Sequence, residues 1–68
     1  MIPLSVRADF SASGEIIPLV YSLNGQDIRV DRILSCFELS ATKVFICRCG
    51  SEIRRLLLRN NKWYLTLE

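Results

Sequence analysis

The chain contains no histidine, and its 68 residues include only three cysteines, two prolines, three glycines and one tryptophan. Without histidine, the usual base for activating a cysteine or serine nucleophile is missing, and so is the commonest nitrogen ligand for zinc. An odd number of cysteines, Cys36, Cys47 and Cys49, argues against a closed disulfide framework. Gly14, Gly25 and Gly50 stand alone in separate turn-like contexts, so no glycine-rich phosphate loop exists. Arg or Asp breaks every apolar stretch well short of the about 20 residues of a membrane-spanning helix. Met1 to Arg7 has neither the basic start nor the apolar run of a secretory signal. The expected compartment is the cytoplasm, with the thiols reduced.

Half of the residues are hydrophobic and 24% are charged, a balance that supports a packed core and is unlike that of disordered chains. The length allows one domain, 1–68, and no more. A net charge of +2 hides an asymmetry. Residues 1–42 carry Arg7, Arg29 and Arg32 against five carboxylates, a net −2, whereas residues 43–68 carry six cations against Glu52 and Glu68, a net +4. The basic character lies at the C-terminal end.

Leu4, Val6, Ala8 and Phe10 alternate with Ser5, Arg7 and Asp9, the period of a strand with one wet face. Ser11 to Gly14 supplies turn residues. In the stretch from Glu15 to Leu23, Ile17, Leu19, Tyr21 and Leu23 share one face, and Pro18 belongs at an edge, a bulge or a strand start because it lacks an N–H. Asn24-Gly25 is the sharpest local signal, since both central positions of a type I′ hairpin turn need positive φ. The returning strand carries Ile28 and Val30 inward and continues through Leu39 with poorer alternation, which a bulge or bend near Arg32 would explain. A short helix over Asp31 to Leu39 is the rival, with Ile33, Leu34 and Phe37 at helical spacing. Ser40 to Thr42, Gly50-Ser51 and Asn60-Asn61 separate strands over Lys43–Cys49, Ile53–Arg59 and Lys62–Leu67. Six strands joined by tight reversals imply an all-β antiparallel meander closing into a small barrel-like sheet.

Cys47 and Cys49 flank Arg48 on a strand and lie some 6.5 to 7 Å apart on one face. Structural zinc needs four ligands, so the expectation is no metal and no cofactor, with the cysteines acting as small buried hydrophobes. Asp27, Asp31 and Glu38 read as outward positions paired with Arg29 and Arg32, and no acid/base pair emerges. The chain is therefore expected to bind, not to catalyse. Arg48, Arg54, Arg55, Arg59 and Lys62, with Tyr64 and Phe45 near them in the pattern, could offer cations to a phosphate backbone and a ring to a base. Outward Lys and Arg also guard strand edges against aggregation. Trp63, in register with Leu65 and Leu67, reads as core.

Ile17-Pro18-Leu19-Val20-Tyr21, the turn at Asn24-Gly25, Ile28 to Leu34, Cys47-Arg48 and Lys62-Trp63-Tyr64 together resemble a family of short all-β proteins of Firmicutes-type bacteria whose function is unassigned. The resemblance covers most of the chain and implies a compact bacterial β domain. It departs in a shorter hairpin turn and a shorter connection around Ser40 to Lys43.

Leu56, Leu57 and Leu58 are consecutive, so one of them must face away from the interior of a single-layer sheet. Arg55 and Arg59 are in phase with Leu57, which makes Leu57 the outward member, with Tyr64 extending its patch. An exposed patch on so small a chain is commonly covered by a partner or a copy. The first functional expectation is thus a protein-interaction or self-associating module, and the second a weak single-stranded nucleic-acid binder using the basic C-terminal hairpin. Their discriminating observation is where the cations and rings lie. Collection on one face favours nucleic acid, and scatter favours protein.

Overall fold

A computed structural model describes residues 1–66, and Leu67, the end of the sixth expected strand, lies outside the described residues. Seven antiparallel strands follow one another: β1 (Ile2–Phe10), β2 (Ile16–Leu23), β3 (Gln26–Arg29), β4 (Arg32–Leu39), β5 (Thr42–Cys49), β6 (Glu52–Arg59) and β7 (Lys62–Thr66). The spatial order is β3-β2-β1-β7-β6-β5-β4. The all-β class is as expected, but six strands become seven because the long third strand breaks at Val30-Asp31. There the chain leaves one edge of the sheet and joins the other: the Val30 amide donates to the Leu19 carbonyl at 2.8 Å, and the Asp31 amide to the Arg48 carbonyl at 2.9 Å. The segment Asp31 to Leu39 is extended, not helical.

The sheet curls into a half-barrel instead of closing. Its radius of gyration of 11.1 Å is near the about 11 Å expected of a compact chain this long. The concave interior holds the buried cluster of Tyr21, Phe45, Cys47, Cys49, Leu56 and Leu65. Trp63 packs against this cluster, its ring 5.5 Å from that of Phe45. The open side is a depression of about 310 Å³ between the start of β2 and β4–β5, lined by Ile16, Ile33, Cys36, Lys43 and Phe45.

Two register shifts change which side chains face inward. Arg7 pairs with Val20 but Ala8 with Pro18, leaving Leu19 as an extra residue that turns outward, 39% exposed. Ile16 and the fully buried Pro18 therefore share the interior with Tyr21 and Leu23, which corrects the unbroken alternation read from the sequence. Pro18 sits beside the bulge, where a missing ladder donor costs least. In β4, Ile33 pairs with Cys47 and Ser35 with Ile46, so Leu34 is the extra residue and Phe37 moves to the outer face.

Turn chemistry sets the hairpins. Asn24 and Gly25 both have positive φ, 53° and 76°, as a type I′ turn requires. Ser40 and Ala41 adopt the same left-handed conformation, with φ of 51° and 62°, although neither is a residue that favours it. No helix among the described residues is long and apolar enough to cross a membrane.

Candidate functional site

Strand pairing assigns each side chain of β4–β7 to a face. Phe45, Cys47, Leu56 and Leu65 are inside, so their alternates are outside. The outer face reads as four cross-strand rows. The first is Arg32, Arg48 and Ile53, and the second Ser35, Ile46, Arg55 and Thr66. Phe37, Val44, Leu57 and Tyr64 form the third, and Leu39, Thr42, Arg59 and Lys62 close the face. Six residues of strand separate the first row from the last, about 20 Å.

The structure thus brings Arg48, Arg55, Arg59, Lys62 and Tyr64 onto one face together with Leu57, and adds Arg32. All five cations are exposed. No carboxylate from these strands shares the face among the described residues, because Glu38 and Glu52 fall on the inner side with Lys43 and Arg54. The outer face of β1–β3 differs, with Arg7 and Arg29 balanced by Asp9 and Asp27. The charge asymmetry along the chain becomes an asymmetry between two halves of one surface.

Within the cationic half, Arg32 lies directly opposite Arg48, and Arg59 directly opposite Lys62. Like charges directly opposite on one face of a sheet destabilise it. Between them runs the apolar row. Val44 is buried, 6% exposed, while Phe37 is 46% and Leu39 65% exposed. These residues, with Arg55, Leu57 and Arg59, line a groove of about 420 Å³. The strained Ser40-Ala41 turn stands at its rim, Ser40 contributing to the lining. A second depression of about 440 Å³ opens where β1 and β7 separate beyond Leu4, and it is lined in part by Lys62 and Tyr64 of the same outer face.

Three sequence expectations are corrected here. Arg54 does not join the cluster: it is on the inner face, ion-paired with Glu52. Phe45 is buried, 1% exposed, and offers no ring to a ligand; Phe37, noted in the sequence only for its helical spacing, is the exposed ring of the outer face. The pairing of Asp27, Asp31 and Glu38 with Arg29 and Arg32 is also absent, since the one ion pair among the described residues is Arg54–Glu52. Asp27 accepts from the Ser22 hydroxyl at 2.6 Å. Asp31 accepts from the Gly50 amide at 2.6 Å, so its carboxylate ties the crossing segment to the β5–β6 turn.

The thiols divide by environment. Cys36 is exposed, and Cys47 and Cys49 are buried. Burial, reinforced by the neighbouring Cys49 and Cys36, pushes the Cys47 thiol up to about 12. Burial also raises Cys49, with Asp31 adding to the effect, and raises the Tyr21 hydroxyl against the pull of Arg54. A raised thiol pKa suppresses the nucleophilic thiolate. Among the described residues no three His, Cys, Asp or Glu side chains are grouped to hold a metal ion. No family model, curated protein or solved structure matches the chain.

Proposed function

We infer that the chain is a non-catalytic binding module whose outer β4–β7 face takes single-stranded nucleic acid. The carrying observation is the pair of like-charge juxtapositions, Arg32 with Arg48 and Arg59 with Lys62, on a face that carries no carboxylate among its described residues. Their mutual repulsion is relieved when an anion sits between the members. Two such positions about 20 Å apart, with Arg55 and an exposed ring between them, fit a chain of phosphates better than a single anion. Aromatic rings in a cationic field are how single strands are held without sequence preference. The sequence alone put protein interaction first, and the gathering of cations and rings on one face reverses that order.

The test is fluorescence anisotropy of a labelled 12-nucleotide single strand. Neutralising about five phosphates gives a log–log salt slope near −3.5 for a single strand. Affinity should then fall about 100-fold between 50 and 200 mM salt. Replacing Arg48, Arg55 and Arg59 by Ala should abolish binding, while Arg7→Ala with Arg29→Ala, on the neutral half, should leave it unchanged. Equal loss in both variants, or a poly-glutamate peptide binding as tightly as the oligonucleotide, would overturn the reading, the latter in favour of an acidic protein partner.

Self-association is a second reading, favoured by the edge strand β4, in which seven of eight residues are exposed. Exposed edges recruit further strands. Two copies meeting through the outer faces would oppose cation to cation, so the edge is the route this reading takes. A clean monomer mass by sedimentation at micromolar concentration would remove it.

A further inference from the structure

We propose that the groove between the two like-charge pairs is a pocket for one unstacked base, and that its chemistry favours keto bases, uracil, thymine and guanine, over cytosine and adenine. The proposal rests on the reading of this face as a single-strand platform and names what it recognises.

A groove of about 420 Å³ lies at the small end of ligand sites, with space for a base and its sugar. Its floor is apolar, formed by Val44 and Leu57, and the exposed Phe37 ring stands at one side. A base that leaves its stack loses ring contacts, and a pocket with an aromatic wall restores them. The row below holds Arg55 and the row above holds Arg59, so a base lying on the apolar row has a guanidinium on either side. The next phosphates then fall toward Arg48 and Lys62.

The lining has a one-sided hydrogen-bonding character. Arg55 and Arg59 are donors only, and among the described residues no carboxylate, amide or imidazole joins them. The side-chain acceptors among the described lining residues are the neutral hydroxyls of Ser40, Thr42 and Thr66; the Thr42 hydroxyl donates to the Ser40 carbonyl at 3.4 Å and keeps its lone pairs to accept. Charge-assisted bonds are roughly twice as strong as neutral ones, so the guanidinium groups dominate recognition. Thymine and guanine present carbonyl oxygens where cytosine and adenine present amino donors. An amino group turned toward a guanidinium places donor against donor and leaves both without a partner.

Three eight-nucleotide strands decide the matter by anisotropy at 100 mM salt: all-deoxyuridine, all-deoxycytidine and all-abasic. They share the same phosphates and differ at the base. The deoxyuridine strand should bind about three- to tenfold more tightly than the deoxycytidine strand, the value of one such hydrogen bond, and the abasic strand most weakly. All three should show the same salt slope. Arg55→Lys keeps the charge but loses the planar fork, so it should retain the slope and bring the uridine-to-cytidine ratio toward one; thermal unfolding verifies that this variant is folded. Equal binding of all three strands with the slope intact would overturn the base pocket and leave the phosphate platform standing. Tighter binding of deoxycytidine would overturn the donor argument, and absence of binding by any strand would overturn the pocket and the platform together.

Discussion

The cross-strand pair Arg59 and Lys62 makes a sharp prediction, because removing its repulsion should stabilise the fold while weakening its binding. Both side chains are exposed and flank the Asn60-Asn61 turn, and the described outer face holds no carboxylate to relieve them. Opposite-charge pairs in this geometry contribute roughly 0.2–1 kcal/mol and like-charge pairs cost a similar amount. Arg59→Glu changes one into the other, a swing of about 1 kcal/mol. In a domain of 60 to 100 residues that raises Tm by about 4–8 °C. The effect is electrostatic and exposed, so most of it should vanish in 1 M salt, where the screening length is about 3 Å. Lys62→Glu should give the same gain, and the double variant, which restores a like-charge pair, should lose it. Circular dichroism melts of wild type, both single variants and the double variant at 20 mM and 1 M salt complete the cycle. Each single variant should also bind the oligonucleotide more weakly, with a flatter salt slope. Single variants that melt with wild type at low salt, or a double variant that keeps the full gain, would refute the claim that this pair stores repulsion.

Leu56 is wholly buried, and Leu56→Ala should cost about 2–5 kcal/mol, enough to unfold so small a domain at 25 °C by denaturant titration, whereas the 47% exposed Ile53 should tolerate Ala within about 0.5 kcal/mol. Ala41 has a φ of 62°, where an L-residue carries a penalty of about 1–2 kcal/mol; Ala41→Gly should therefore stabilise the protein, by about 0.5–1 kcal/mol after the added freedom of the unfolded chain is subtracted, read as a higher urea midpoint. Above pH 9 the unfolded chain releases the Cys47 proton, while the folded chain holds it to about 12. The folded state thus binds more protons across that window, and stability falls as pH rises. Tyr21 and Cys49, also raised, act in the same sense, and Cys47→Ala should flatten the decline in urea midpoints between pH 9 and 11; identical slopes would contradict it.

Local chemistry wrote the strands and turns into the sequence clearly. Asn24-Gly25 marked its hairpin because few other dipeptides accept two positive φ values. The alternation of Leu4, Val6 and Ala8 marked β1 because one of its faces stays wet. Cys47 and Cys49 could be read as buried because no fourth ligand and no histidine accompany them. What escaped depends on register. Leu19 and Leu34 are ordinary apolar residues, and nothing in their identity says that each is the one extra residue that reverses the phase of its strand. The second bulge moved Phe37 to the outer face and hid the ring from a reading by period. Arg54 and Arg55 are adjacent, so they had to part to opposite faces, but which went inside depended on Leu56. The break at Val30-Asp31 was visible only as a loss of alternation, because its cause is the curl of the whole sheet.

In this sheet the ends of the chain meet at the centre and its middle forms the rims. β1 pairs with β7 through Ile2–Leu65, Pro3–Tyr64 and Leu4–Trp63, and every other pairing joins strands that are neighbours in sequence. Five of the six pairings close short loops and can form early, while the sixth must close a loop of about 60 residues, with a loop entropy that grows only logarithmically. On loop length that seam is expected to form last and to open first, since opening it separates a three-stranded piece, β1–β3, from a four-stranded piece, β4–β7. Those two pieces are also the neutral and the cationic halves of the outer surface. Amide exchange should therefore proceed in two blocks whose boundary is the β1–β7 ladder, and a change at Ile2 or Leu4 should loosen the whole molecule where such a change at most chain ends would only fray it.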